Sequence, residues 1–127
     1  MSETTSRSIP HRTAGKAHVV TLRGEIDLLT APALRAHLDS LTAGPGPDLV
    51  LDLRRVSFID CSGLGVLCRA RNRVLARHGR LRLVTDSVFL RRVLWHAGLA
   101  GVFEVLPGLP EGLAGTQPAG IADVPAV

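Results

Sequence analysis

A chain of 127 residues with 46 % hydrophobic content can bury one small core, and with aromatics at 3 % that core must be built from leucine, valine and alanine. The net charge of +4 rests almost wholly on arginine. It permits a nucleic-acid face or an acidic protein partner, but base stacking needs exposed aromatic rings, and the chain has one tryptophan and no tyrosine.

No run of about 18 apolar residues is present, and the polar start lacks the apolar centre of a signal peptide. The cysteines, Cys61 and Cys68, fit neither a zinc pattern nor a C-x-x-C pair. The expectation is a cytoplasmic protein with free thiols, no membrane contact and no direct nucleic-acid contact. The arginines at 69, 71, 73, 77, 80 and 82 read as a solvated surface.

In chain order, residues 1–15 read as a flexible arm or an edge strand. Residues 18–24 alternate as a strand, and a turn follows to Asp27. Thr30 then reads as a helix cap with Pro32 just inside, and Leu34, Leu38 and Leu41 form the buried stripe. Gly44-Pro45-Gly46-Pro47 stops that helix. Residues 49–53 are a near-continuous apolar run, as an inner strand requires. A helix is predicted over 62–77, ended by Gly79 in a left-handed conformation. A strand at 81–85 follows, then a helix capped by Asp86 or Ser87 that carries Leu90, Val93, Leu94 and Ala97. A final strand is predicted at 102–106, and the Gly, Pro and Ala of 107–127 read as a disordered tail. Alternating strands and helices imply a sheet with crossover helices packed on it.

The junction before the second helix holds one hydroxyl, Ser62, at the N-cap or in the first turn. Serine there is a good cap. A helix start also presents unpaired N–H groups and the positive end of the dipole, so a phosphate is well placed there. Nothing nearby completes an enzyme. Gly63-Leu64-Gly65 lacks the third small residue of a dinucleotide fingerprint, since position 68 is Cys68. No Gly-Lys-Ser/Thr and no Gly-x-Ser-x-Gly occurs around Ser62. Cys61 lacks the arginine that closes a cysteine-phosphatase loop, because position 67 is Leu67. The histidines at 11, 18, 37, 78 and 96 share no ligand spacing, so no metal site is expected. The reading is a non-enzyme without a cofactor, able to receive a phosphate of about −1.5 to −2 charge that switches binding.

Three blocks carry a family likeness over residues 17–106. Asp60-Cys61-Ser62-Gly63-Leu64-Gly65 resembles the D-S-S/T-G-L-G phosphorylation loop of STAS-domain anti-sigma factor antagonists. Leu22-Arg23-Gly24-Glu25-Ile26-Asp27 with Thr30-Ala31 is similar to that family's L-x-G-E-L/I-D-x-x-T/S-A opening, and the run from Arg91 to Leu99 to its last helix. The resemblance implies an α/β fold: a single STAS-like domain over 16–106 with a mixed four- to five-stranded sheet. It also implies a function. The unphosphorylated form would bind an anti-sigma factor serine/threonine kinase and release the sigma factor. Phosphorylation would break the complex, and a PP2C-type phosphatase would restore it.

Carried over by position, Ser62 is the phosphoacceptor, and Asp27, Asp60, Cys61, Gly63, Leu64 and Gly65 surround the contact surface. Gly63 and Gly65 would keep the acceptor loop open to a kinase cleft. Cys61 departs from the family, which often has Ser or Thr there. The alternative is an orphan or stressosome-type STAS scaffold or ligand-binding module without a kinase switch. Trp95, off the buried stripe of the last helix, is either a partner anchor or a rim residue.

Overall fold

The computed structural model describes residues 11–14 and 17–113. Five strands, β1 (His11–Ala14), β2 (Ala17–Ile26), β3 (Asp48–Ile59), β4 (Arg80–Val84) and β5 (Glu104–Leu106), form one sheet in the spatial order β1-β2-β3-β4-β5. β1 runs antiparallel to β2, and the other pairings are parallel. The helices α1 (Ala31–Leu41), α2 (Cys61–Ala76) and α3 (Val88–His96) are the crossovers. The strands from β2 onward are laid down in one direction, so right-handed crossovers place all three helices on the same face.

β3 shows the two faces most clearly. Leu49, Leu51 and Leu53 join Leu34 and Leu38 of α1, Leu67 and Val74 of α2, and Leu90 and Leu94 of α3 in the main core. Val50 points the other way and packs with Ala17, Val19, Val84 and Leu113. Each leucine or valine so buried contributes about 1.5–3 kcal/mol. Both faces of β3 are therefore dry, as its continuous apolar run requires. Among the described residues no helix is long and apolar enough to cross a membrane.

Several boundaries differ from the sequence expectation. α2 starts at Cys61 and its cap is Asp60. The left-handed residue after α2 is His78, at φ 59°, and not Gly79. Gly79 is needed for close approach instead, since a Cβ there would overlap the carbonyl oxygen of Pro47. β5 is shorter than 102–106 because Phe103 turns into the core.

The folded unit also runs past residue 106. Leu109 and Leu113 pack on the helix-free face, where Leu113 is buried. Composition hid this, because two leucines among glycines and prolines suffice to cover a small apolar patch. The arm reading of 1–10 and the tail reading of 114–127 lie outside the described residues.

The arginine run is tied down more than a solvated surface would be. Arg82 is buried and donates to Asp48 at 2.9 Å. Arg80 forms a two-point ion pair with Glu104, and Arg71 donates to the carbonyl of Val102 at 3.1 Å.

Candidate functional site

Parallel β2, β3 and β4 bring their C-terminal ends together, and the loops that leave them build one surface. Asp60 follows β3 in an extended conformation, and its Oδ1 accepts the Gly63 amide at 3.1 Å. Its own amide donates to the carbonyl of Ile26 at 3.2 Å, which ties the start of α2 to the end of β2. Ser62 is the second residue of α2, half-buried. Asp60 does the capping, so the Ser62 hydroxyl is not used for it.

The two glycines play opposite parts. A Cβ on Gly63 would lie 2.6 Å from Ile59 Cγ1 and 2.7 Å from the Ile26 carbonyl oxygen. Gly63 is buried, and it lets the first turn of α2 rest on the strands. This corrects the expectation that Gly63 opens the loop, since no side chain fits there whatever docks outside. Gly65 is exposed, and a Cβ there would meet nothing within 4 Å. Leu64 is half-buried and packs on the core, whereas Cys61 is exposed.

Asp27 organises the neighbouring loop. Its Oδ1 accepts the amides of Leu29 at 3.0 Å and Thr30 at 3.2 Å. Thr30 Oγ1 accepts the Asp27 amide at 2.9 Å and donates to the Glu25 carbonyl. Thr30 stands at the cap position of α1, but its side chain makes no capping hydrogen bond. Both predicted loop acids, Asp27 and Asp60, thus spend their carboxylates on backbone amides. They hold the surface in shape.

What the loop displays is apolar: Leu28 is 72 % exposed and Leu29 84 %. A groove of about 500 Å³ runs between the starts of α1 and α2, with Leu28 and Arg35 on one wall and Cys61, Ser62, Gly65 and Arg69 on the other. Arg69 Nε and Nη2 each donate to the Asp39 carboxylate at 2.9 Å. The hydrogen bond from Arg69, with the charges of Arg69, Arg73 and Arg35 behind it, holds the Asp39 carboxyl below the usual carboxylate range.

Sequence reasoning missed Leu28, Leu29, Arg35 and the placement of Arg69 in the groove. The signals were a pair of adjacent leucines in a turn and an arginine two helical turns after Ser62. Trp95 is 70 % exposed on α3 and does not line the groove.

Comparison with known proteins agrees with this architecture. Residues 10–108 match the family described as "Mlab, STAS domain". The chain is 37 % identical over 86 residues to the anti-sigma-B factor antagonist of Bacillus subtilis, covering 68 % of this chain and 78 % of that protein. It is 30 % identical over 99 residues to an anti-sigma-F factor antagonist of Mycobacterium tuberculosis, covering 78 % of this chain and 80 % of the relative. The crystal structure of an anti-sigma factor antagonist from Mycobacterium paratuberculosis is similar with a TM-score of 0.74 at 30 % identity, over 89 % of this chain and 96 % of that one. The chain belongs to the STAS-domain family, in its anti-sigma factor antagonist branch.

Proposed function

We propose that this protein is a phospho-switched anti-sigma factor antagonist. Its unphosphorylated form binds an anti-sigma factor that is also a serine kinase, and the sigma factor is released. The kinase moves the γ-phosphoryl group of ATP onto Ser62 Oγ; ADP leaves and the hydroxyl proton is lost. A PP2C-type phosphatase hydrolyses the phosphoserine with water, releasing inorganic phosphate and restoring the Ser62 hydroxyl. The partners place the cycle in the cytoplasm, and the protein acts in it as a substrate and a binding module, not as a catalyst.

One observation carries the reading. Ser62 stands in the first turn of α2 with the cap already supplied by Asp60, so its hydroxyl has no structural duty there. It shares a groove with Leu28, and Leu29 beside it is exposed. Exposed leucines in a loop held by its own hydrogen bonds are an apolar anchor awaiting a partner. A phosphate of about −1.5 to −2 charge at Ser62 changes that surface without refolding the domain.

The test is intact-mass and site-mapping mass spectrometry on the protein from its own host, with Ser62→Ala alongside. One phosphoryl group on Ser62, absent from the variant, is expected. The unphosphorylated form should retain an anti-sigma factor kinase on affinity capture, and the phosphorylated form should not. An unmodified Ser62 under both growth and stress would overturn the switch and leave a STAS scaffold or ligand-binding module.

A further inference from the structure

Two guanidinium groups contact one carboxylate beside the groove, and a third stands one helical turn before it on α1. Arg69 holds Asp39 through both of its donors, Arg73 Nε stands 3.4 Å from the same carboxylate, and the charge of Arg35 reaches it. Arg73 also donates to Thr42 Oγ1 at 2.9 Å and to the Asp39 carbonyl at 3.0 Å. One carboxylate among three cations leaves a surplus of positive charge. That surplus faces the groove, because Arg35 and Arg69 line it and no carboxylate among the described residues does.

Gly65 sits between Ser62 and Arg69, three residues after one and four before the other, on the same stripe of α2. Neither packing nor a left-handed φ requires glycine there. In a helix interior it costs about 1 kcal/mol relative to alanine. Its effect is to leave the floor between Ser62 and Arg69 bare. Helical side chains lean toward the N-terminus, so Arg69 leans toward Ser62 across about 10 Å of helix. Ser62 leans the same way, so the long stem of Arg69 supplies the reach along the helix, and Arg35 approaches from α1 across the groove.

We infer that the groove is a receiver for the phosphoryl group of Ser62 itself, with Arg35 from α1 and Arg69 from α2 as its counter-ions. The inference rests on the phosphorylation of Ser62 proposed above. Arg69 exchanges Asp39 for the phosphate, and Arg73 remains to neutralise Asp39. The switch then works by more than repulsion. The phosphate fills the groove, withdraws two cations from any acidic partner surface, and pins the start of α1 to α2.

The test installs phosphoserine at position 62 by genetic-code expansion, so that no kinase is needed, and titrates it by phosphorus NMR. A free phosphoserine has its second pKa at about 6. The expected value is about 1 unit or more lower, since paired cations favour the dianion. Arg35→Gln and Arg69→Gln should each bring it back toward about 6. Asp39→Asn, which releases Arg69, should lower it further. Asp60 and the helix end stay constant across the series, so they cannot produce these differences.

Circular dichroism confirms that each variant is folded, and Arg35→Gln, which removes an exposed side chain, keeps the test available if Arg69→Gln does not fold. A value near that of free phosphoserine, or one that either arginine substitution leaves in place, overturns the inference. A host in which Ser62 is never phosphorylated would defeat the proposed function while leaving this titration to be read on its own.

Discussion

Asp60 caps α2 by accepting the Gly63 amide at 3.1 Å, and Gly63 is the residue whose missing side chain lets that turn lie on Ile26 and Ile59. The pair fixes where Ser62 stands. Gly63→Ala forces a methyl to within 3 Å of the Ile26 carbonyl and should cost about 1–3 kcal/mol. Asp60→Ala should cost about 0.5–2 kcal/mol, and Asp60→Asn much less, because asparagine also caps. Gly65→Ala should move the other way and stabilise by up to about 1 kcal/mol. Urea midpoints of the four variants check all of this, and a destabilising Gly65→Ala would count against the open floor.

Leu28 and Leu29 should matter to binding and not to folding. Leu29→Ser leaves the core untouched, so stability should stay within about 0.5 kcal/mol of the wild type. Affinity for the anti-sigma factor, read by titration calorimetry, should fall by about ten-fold or more, the loss of about 1.4 kcal/mol expected of an interface anchor. Unchanged affinity for both Leu28→Ser and Leu29→Ser would remove the loop from the interface.

Cys61 is exposed and shares the groove with Ser62, whereas Cys68 is half-buried against the core. A brief treatment with N-ethylmaleimide should label Cys61 first. The singly labelled protein should lose kinase capture, because the adduct occupies the groove. Cys61→Ser should bind normally and resist the treatment. Peptide mapping followed by capture checks both points.

Acid should weaken the fold in two windows. Burial lowers the pKa of His37, so the folded state binds its proton less readily than the unfolded chain does. The neutral form is fully stabilising above the ordinary value of about 6.5, and that stability declines as pH falls below it. Asp39 and Glu104 have lowered pKa values, chiefly through hydrogen bonds from Arg69 and Arg80. Their contribution is complete above the usual carboxylate range near about 4 and is lost as pH falls through their folded values. Both carboxylates are partly exposed, so the effect is modest. His37→Gln should flatten the first window and the double variant Asp39→Asn, Glu104→Gln the second, in urea midpoints measured across the acid range.

The segment carrying Leu109 and Leu113 should belong to the folded unit. Ending the chain at residue 106 uncovers Val19, Val50 and Val84. Leu113→Ala alone should cost about 2 kcal/mol, and the truncation more. Equal melting temperatures for the full and truncated chains would return the boundary to residue 106.

The order of strands and helices was legible because apolar residues recur with periods of two and 3.6, which depend only on local geometry. Leu34 and Leu38, or Leu49 to Leu53, declare their element without knowledge of its neighbours. The cap of α2 was harder, since Asp60 and Ser62 are both good capping residues two positions apart, and only the bond to Gly63 separates them. The groove was not legible. Arg35, Asp39 and Arg69 meet because α1 and α2 lie side by side, and no local pattern encodes that approach. Gly63 and Gly65 look alike in sequence; only the strands beneath one of them tell them apart.

The edges of the sheet carry a last consequence. β1 is four residues long and β5 three, so each offers few unpaired backbone groups to a stray strand. β2 and β3 outrun them: β1 pairs only with Ala17–Val20 and β4 only with Asp48–Asp52, so the C-terminal halves of β2 and β3 pair with each other and have no outer strand among the described residues. Exposed leucines such as Leu28 and Leu29 bring a risk of sticking to copies of the same chain. Leu28 and Leu29 follow directly on the projecting end of β2, so bare apolar side chains and an unflanked pair of strands meet at one end of the domain.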